Sequence, residues 1–374
     1  MIPRTHAVIR AAVAVSLTSI VLATGCQPPT PEPLTVREMA DFRVRAVHYL
    51  EDAAFGDDPA GRMHAIEAFA RSAPRQGVEL QVFSLNIENE YPGASFAALV
   101  AAGEIGAIEY TELARTRAEH PNPHVRMAAI FALHQFGDRS RTAEIGQLLL
   151  KSETAKVRAN AALLLGKIGG KQQIRILRTA LRREKKDLPK LQIMESLAII
   201  GEESAIQRLM LDGYSAKPQQ SAVALMMLGN AKAQAAEDLF WLRLGPNEWP
   251  EIPLEAARGL ARIGRNDGEP LAVTQLFFNS PKKDMPKDPP EQQIDRVRGL
   301  AALALEDIGN PLTLAPLRQA FDVEGQSLYV RIAIARAALR IIHMAHPEWN
   351  SEPIPRVRPD RNQQLAGDQR GDVP

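Results

Sequence analysis

Histidine pairs are the first places where this sequence could hold a metal ion. His120 and His124 are four residues apart, and His343 and His346 are three apart. A Pro-Asn-Pro run follows His120, so the first pair does not lie on one helix. The second pair has no carboxylate on its turn that could complete a ligand set. No GxSxG, Walker A or GxGxxG pattern occurs either. We therefore expect no metal, no cofactor and no catalytic residues.

A run of basic residues is the strongest candidate for a binding surface. Nine Lys or Arg residues lie between Lys167 and Lys190, and only Glu184 and Asp187 oppose them. The candidate partner-binding residues are Lys171, Arg175, Arg178, Arg182 and Arg183. The first four are spaced i, i+4, i+7, i+11, which is one face of a helix. Such a face either binds an acidic partner or is simply solvated, and the spacing alone leaves both open.

The elements that would carry these residues follow from a thirteen-residue motif that recurs along the chain. Clear copies stand at 125–137 (VRMAAIFALHQFG), 157–169 (VRANAALLLGKIG) and 297–309 (VRGLAALALEDIG). Weaker copies stand at 189–201, 217–229, 252–264 and 330–342, with a degenerate one at 61–73. The closing glycines Gly137, Gly169 and Gly201 are 32 residues apart. Self-similarity at such a period indicates an array of stacked repeats.

Each copy of the motif predicts an amphipathic helix. Apolar or small residues occupy positions 1, 5, 8, 9 and 12, which is helical spacing along one face. Position 9 is Leu in six of seven copies, and position 8 is small in six, a pairing that lets neighbouring helices approach closely. The final Gly suits the left-handed residue that ends a helix. A second apolar helix follows each Gly, so the repeating unit is a helical hairpin.

The arginine at motif position 2 allows two interpretations. It recurs as Arg62, Arg126, Arg158, Arg298 and Arg331. In the first interpretation, these arginines form a row that binds a ligand. The structural alternative, which we favour, is that each arginine donates hydrogen bonds to carbonyls or acids and ties the repeats together. The aromatic residues Phe240, Trp241 and Trp249 also allow two interpretations. They could anchor a binding partner, or, as we favour, they pack within the protein.

The Val-Arg opening, the Ala-rich middle, the Leu and the closing Gly resemble the HEAT-like repeats of phycobilisome lyases and of many bacterial scaffold proteins. The resemblance covers roughly residues 60–345. It implies an all-α solenoid of eight or nine stacked hairpins, in which the second helix of each hairpin lines the concave surface. The basic residues at 171–183 would then face a groove. A fold of this kind hosts many functions, so the resemblance leaves the function open.

The N-terminus reads as a targeting segment. Arg4, His6 and Arg10 precede an apolar stretch at 11–24, which is the order of a secretory signal peptide. The stretch ends in Leu-Ala-Thr-Gly-Cys and resembles a bacterial lipobox, with Ala23 where Leu is usual. The resemblance implies that Cys26, the only cysteine, is lipidated and anchors the protein to a membrane. An ordinary signal peptide with an incidental cysteine is the alternative.

These features predict the domain boundaries. A signal peptide (1–25) and a Pro-rich tether (26–34) precede the repeats (35–345), and a loop (279–293) interrupts them. The helix predicted at 35–53 should cap an elongated core. After about 346 the chain turns polar and loses its periodicity, so we expect a disordered tail (346–374).

Composition narrows the function. Lys plus Arg (45) nearly balances Asp plus Glu (44), which argues against a dedicated nucleic-acid binder. We therefore expect an envelope-anchored, non-catalytic scaffold that binds proteins, the basic residues at 171–183 facing an acidic partner. The alternatives are a lyase-like or enzyme-accessory module, and a binder of an anionic envelope polymer. The oligomeric state does not follow from the sequence.

Overall fold

The computed structural model describes residues 32–72, 78–247, 249–281, 289–352 and 354. The predicted signal peptide, Cys26, most of the tether, the centre of the 279–293 loop and nearly all of the tail lie outside these residues. Within the described part of the chain, no helix is long and apolar enough to span a membrane.

The described residues are helical almost throughout. In chain order the α-helices are α1 (Val36–Ala54), α2 (Pro59–Ser72), α3 (Val78–Ile87), α4 (Pro92–Ile105), α5 (Thr111–Arg117), α6 (Pro123–Gln135), α7 (Thr142–Lys151), α8 (Ala155–Ile168), α9 (Lys171–Arg183), α10 (Asp187–Ile199), α11 (Glu203–Gly213), α12 (Pro218–Asn230), α13 (Glu237–Leu244), α14 (Glu251–Arg262), α15 (Glu269–Gln275), α16 (Pro290–Ile308), α17 (Leu314–Phe321) and α18 (Leu328–Ala345). The prediction of an all-α array of stacked hairpins is confirmed, with nine hairpins in the described residues.

Local sequence explains where the motif helices begin and end. The Asn122 side chain accepts from the backbone N–H of His124, and Pro123 occupies the first turn of α6. The motif's final glycine follows the helix as predicted: Gly201 and Gly309 have φ of 87° and 74°. This left-handed conformation is unstrained only for glycine.

The hairpins form two layers. The even-numbered helices, which carry the motif, pack on one another in order from α2 to α18. The odd-numbered helices pack mainly against the even-numbered ones and little against each other. Small residues allow the close spacing: a Cβ on Gly229 would lie 3.2 Å from the Cα of Gly259, and one on Gly259 would lie 2.4 Å from the Phe240 ring.

The array closes on itself. Helix α18 packs against both α1 and α2, so the last hairpin contacts the first. Aromatic rings fill this seam: the Phe321 ring lies 5.5 Å from that of Phe42 and 5.4 Å from that of Tyr49, edge to face in both cases. We call the contact of α1 and α2 with α17 and α18 the seam. The even-numbered helices pack closely on one another, whereas the odd-numbered helices make few contacts with each other. When an array closes, the helices nearer its centre are the more closely spaced ones. The even-numbered helices therefore form the inner layer.

Polar groups also cross the seam. Arg43 Nε donates to His343 Nε2 at 3.2 Å, and His343 Nδ1 lies 2.6 Å from the carbonyl of Ser72. Burial lowers the pKa of His343 to about 4, so the imidazole is neutral and carries its proton on Nδ1. Arg45 pairs with Asp322, and Arg318 Nη1 lies 3.0 Å from Glu38 Oε1. Helices α1, α2, α17 and α18 are therefore joined by packing and by charge.

Two predictions about the ends of the array are wrong. Helix α1 does not cap an elongated core, because α18 packs against it and the buried Phe42 ring meets that of Phe321 in the last hairpin. The predicted tail does not begin at 346, since Pro347–Ser351 forms a 3-10 helix. Arg43 Nη2 holds this segment by donating to the carbonyls of Trp349 at 2.7 Å and Glu352 at 2.8 Å. The predicted loop at 279–293 likewise ends earlier, where α16 begins at Pro290.

Candidate functional site

The inner layer presents a stripe of polar residues that the apolar pattern of the motif does not account for. The stripe occupies motif positions 4, 7 and 11, spaced i, i+3, i+7 on one helical face. Its polar or charged members are His64, Glu67, Arg71, Gln135, Asn160, Lys167, Gln192, Glu195, Gln220, Glu255, Arg258, Arg262, Asp307, Arg336 and Arg340. Because the apolar positions of the motif pack between helices, this stripe points away from the hairpin core.

Hydrogen bonds join the stripe residues from helix to helix. On α10 and α12, Asn230 Nδ2 donates to Glu195 Oε1 at 2.5 Å, and Gln192 Nε2 donates to the other oxygen of Glu195 at 2.7 Å. Arg262 on α14 donates from Nη1 to Asn230 Oδ1 and, at 2.9 Å, from Nε to Asp307 Oδ2 on α16. We call this connected set, together with Arg258 and Glu255, the inner ladder.

The inner ladder contains a buried charge cluster. Arg258 Nε donates to Asp307 Oδ2 at 3.3 Å, and its Nη1 donates to both oxygens of Glu255, at 3.2 and 3.0 Å. The side chains of Arg258 and Asp307 are both 8% exposed. Burial raises the pKa of Glu255, although the guanidinium groups of Arg258 and Arg262 oppose the shift. Two arginines and two carboxylates therefore neutralise each other within the wall of the inner layer.

A cavity adjoins this cluster between α12, α14 and α16. Its volume is about 440 Å³, which is within the range of small-molecule sites. The apolar lining comes from Pro218, Ala222, Val223, Met226, Trp249, Ile252 and Leu300. The polar lining comes from Gln219, Glu251, Glu255 and Arg296. Glu255 thus belongs to both the cavity and the inner ladder.

Glu251 is the unusual group in the cavity wall. The residue is 8% exposed, and Arg296 donates to its Oε1 twice, from Nε at 3.0 Å and from Nη2 at 2.8 Å. The second oxygen, Oε2, is buried and has no hydrogen-bond partner. A buried acceptor without a partner costs free energy of about 1–3 kcal/mol. Arg296 thus holds Glu251 through one oxygen, and the other oxygen is closed to solvent.

The predicted basic surface lies in the outer layer. Lys171, Arg175, Arg178, Arg182 and Arg183 are all exposed on α9. The expectation that α9 lines the concave surface is wrong, because the motif helices occupy the inner layer and α9 packs outside α8 and α10. Arg178 pairs with Glu202 at the start of α11, so four of the five basic residues have no carboxylate partner among the ion pairs of the described residues.

The repeat arginines make the hydrogen bonds that their structural interpretation predicts. Four donate to backbone carbonyls a few residues before their own helices: Arg62 to Gly56, Arg126 to His120 and Pro121, Arg158 to Ser152 and Glu153, and Arg331 to Val323. Arg298 donates to the carbonyl of Phe278, just after α15. Two of them also reach the next hairpin, since Arg158 binds Glu184 and Arg298 binds Gln326. These side chains fix the loops between hairpins.

Among the described residues, no group of three or more His, Cys, Asp or Glu side chains could hold a metal ion. His120 and His124 do not share a helix, since α6 begins at Pro123. His124 Nδ1 instead lies 3.0 Å from Asn160 Nδ2 on the next motif helix. Of the aromatic residues that we considered as an anchor, Phe240 is fully buried, whereas Trp249 lines the cavity.

Comparison with known proteins agrees with this architecture. The HEAT repeats family matches residues 142–223, which include α7 to α11 and the basic surface. Residues 142–223 are therefore HEAT-like repeats within the all-α repeat array of the described residues. Among curated proteins, none matches the sequence.

Several solved structures are similar to this chain. The CpcE–CpcF complex of phycocyanin lyase from Nostoc sp. PCC7120 is 15% identical, with a TM-score of 0.39, over 77% of this chain and 98% of that one. Human deoxyhypusine hydroxylase is 14% identical, with a TM-score of 0.30, over 60% and 88%. An engineered protein is 15% identical, with a TM-score of 0.28, over 82% and 93%. These identities and scores are low, so they say nothing about the activity of this chain.

Proposed function

We propose that this HEAT-like repeat protein is a non-catalytic scaffold that is anchored to the cell envelope by a lipid on Cys26. Its outer basic surface, formed by Lys171, Arg175, Arg178, Arg182 and Arg183, binds an acidic face of a partner protein. The observation that carries the proposal is the exposure of this surface within the hairpins that match the HEAT repeats family. Stacked repeats commonly serve as extended binding surfaces.

The surroundings of the basic surface support protein binding. Leu188 and Leu191, at the start of α10, are 57% and 44% exposed. Exposed apolar side chains beside arginines are the usual composition of a protein interface. The planar guanidinium also suits carboxylate groups, which it binds with two parallel hydrogen bonds. A partner surface of Asp and Glu with an apolar centre would match both features.

Charge reversal tests this partner. We expect the triple variant Lys171→Glu, Arg175→Glu, Arg182→Glu to lose partner capture from envelope extracts while its melting temperature stays nearly unchanged. Arg178 is left intact because a Glu there would face Glu202. Wild-type capture should fall as salt rises, since exposed charges are screened within about 10 Å at 0.1 M salt.

The matched control reverses three exposed basic residues elsewhere, Arg37, Lys151 and Lys232. It changes the net charge equally and should capture the partner as the wild type does. Capture of an anionic polymer in place of a protein would favour the alternative ligand. Equal capture by the two triple variants would show that the basic surface is only solvated.

The lipid anchor is a separate part of the proposal. Substituting Cys26→Ser should release the mature protein from membranes, because the proposed anchor is a lipid chain on the Cys26 thiol, which serine cannot carry. The measurement is sedimentation after a high-salt wash, which removes proteins that are held only by charge. A Ser variant that still sediments with membranes would contradict the anchor and leave the basic surface untouched.

A further inference from the structure

A second cavity lies where α6 and α8 end and α7 and α9 begin. Its volume is about 430 Å³, which is within the range of small-molecule sites. Its apolar wall comes from Ala143, Leu165, Ile168 and Ile176, and no carboxylate of the described residues lines it. None of its lining residues belongs to the inner ladder or to the basic surface. The cavity is therefore a separate feature of the molecule.

Gln173 is the unusual group in the wall of this cavity. The residue lines the cavity and is only 9% exposed. The oxygen and the nitrogen of its side-chain amide have no hydrogen-bond partner among the described residues, and neither atom is closed to solvent. Buried polar side chains are almost always paired. A ligand in the cavity can therefore both donate to this amide and accept from it.

The start of α9 supplies further donors. The N-cap residue of this thirteen-residue helix is Gly170, which has no side chain to accept from the first turn. The N–H of Ile174 donates to the carbonyl of Gly170. The N–H groups of Lys171, Gln172 and Gln173, which precede it, have no partner among the described residues. Free N–H groups and the helix dipole favour an anion at this end of the helix.

The charges around the cavity favour an anion as well. Arg139 lines the cavity, is exposed and has no ion pair among the described residues. Burial and the Arg139 guanidinium lower the pKa of His134, so this second basic side chain of the lining is neutral at pH 7. The carboxylates of Asp138 and Glu144, in neighbouring segments, already accept hydrogen bonds of their own. The guanidinium of Arg139 thus remains available to a ligand.

We propose that this cavity binds the C-terminal residue of a peptide whose last side chain is apolar. The terminal carboxylate accepts from Arg139 and from the free N–H groups of α9, and the N–H of the last residue donates to Gln173 Oε1. The apolar side chain packs against Leu165 and Ile168. A carboxylate carries the single negative charge that one arginine balances, and its planar shape suits the guanidinium. Capture of a terminal carboxylate by backbone N–H groups is a recurring mode of peptide recognition.

The test uses the purified full chain and three acetylated tripeptides. Gly-Gly-Leu with a free carboxylate is the expected ligand, Gly-Gly-Leu with a C-terminal amide lacks the charge, and Gly-Gly-Ser lacks the apolar side chain. Titration calorimetry should give a Kd of about 1 mM or below for the first peptide. The other two should bind at least about tenfold more weakly, because each loses one part of the contact.

Two variants remove the polar contacts of the cavity. Arg139→Gln removes the charge at an exposed position, and Gln173→Met removes both polar atoms while keeping the length of the side chain. Each should weaken binding of the Gly-Gly-Leu acid at least about tenfold. Arg37→Gln is the matched control, since Arg37 is exposed and lies outside the cavity, and this variant should bind as the wild type does.

A further variant is needed because Gln173→Met changes a buried position. Ala143→Trp fills the cavity from an exposed position on α7 and should abolish binding without unfolding the chain. Hexanoate separates a peptide from a free carboxylic acid. It keeps a carboxylate and an apolar stem but has no N–H for Gln173, so it should bind about tenfold more weakly than the peptide acid.

Four results would each overturn the proposal. These are equal binding of the peptide acid and its amide, binding of hexanoate as tight as that of the peptide acid, no binding of the peptide acid, and unchanged binding by Arg139→Gln and Ala143→Trp. None of these variants alters the basic surface, and no partner protein is present in the measurement. A failure here would therefore leave the proposed function as it stands.

Discussion

Substituting Asp307→Ala should destabilise the protein by roughly 3–5 kcal/mol, the range found when one partner of a buried ion pair is removed. Asp307 Oδ2 accepts from Arg262 Nε at 2.9 Å and from Arg258 Nε at 3.3 Å. Without this carboxylate, two guanidinium groups from one helix face each other in a wall where the aspartate side chain is 8% exposed. Chemical denaturation, followed by circular dichroism, measures the loss.

The matched control is Asp322→Ala. Asp322 also pairs with an arginine, Arg45, but its side chain is 42% exposed. Exposed ion pairs contribute about 0–1 kcal/mol, so this variant should lose much less stability. A loss below about 1 kcal/mol for Asp307→Ala would mean that the charge cluster is not buried as described.

Substituting Phe321→Ala should cost about 3–5 kcal/mol and open the seam, since truncating a buried aromatic ring removes its packing and leaves a cavity. Phe321 is 7% exposed and packs against Phe42 and Tyr49 of α1. The two contacting elements are far apart in sequence, so hydrogen exchange should quicken in α1 and α2 as well as in α17.

Leu225→Ala is the control for this effect. Leu225 is fully buried on α12, away from the seam, and its truncation should cost about 2–5 kcal/mol. Exchange should then quicken around α12 and not selectively in α1. If Phe321→Ala changes exchange only within α17 and α18, the contact across the seam is not formed in solution.

The hairpins could be predicted from the sequence because their physical causes are local. The helical spacing of Val, Ala and Leu determines which face of each motif helix is buried, and the closing glycines determine where the helix ends. Each hairpin, and the repeat period of the array, can therefore be derived from one stretch of sequence at a time. The hydrogen bonds of Arg62, Arg126, Arg158 and Arg331 to carbonyls of the preceding loop are local as well. The closed seam could not be predicted, because it depends on the small rotation between successive hairpins, summed over the whole array.

The candidate site escaped prediction for a different reason. Its signal was present as polar residues at motif positions 4, 7 and 11, including Glu195, Arg258 and Asp307. The apolar positions identify the face of each motif helix that packs, but they do not show which of the two layers is the inner one. The resemblance to HEAT-like repeats led us to place α9 in the inner layer, whereas the motif helices occupy it. The unsatisfied oxygen of Glu251 depends on the orientation of one side chain, which no spacing encodes.

Closure of the array is tested most directly by a distance between its two ends. Spin labels on Asp41→Cys in α1 and Glu324→Cys after α17, both at exposed positions, would be introduced together with Cys26→Ser, which removes the only native cysteine. Nine hairpins at 8–10 Å spacing in an open row would separate the ends by on the order of 70 Å. The closed array predicts one narrow distance distribution below about 30 Å, the span of adjacent helices plus the two label tethers. A distribution centred near the open-row distance, or one spread up to it, would contradict the closed array.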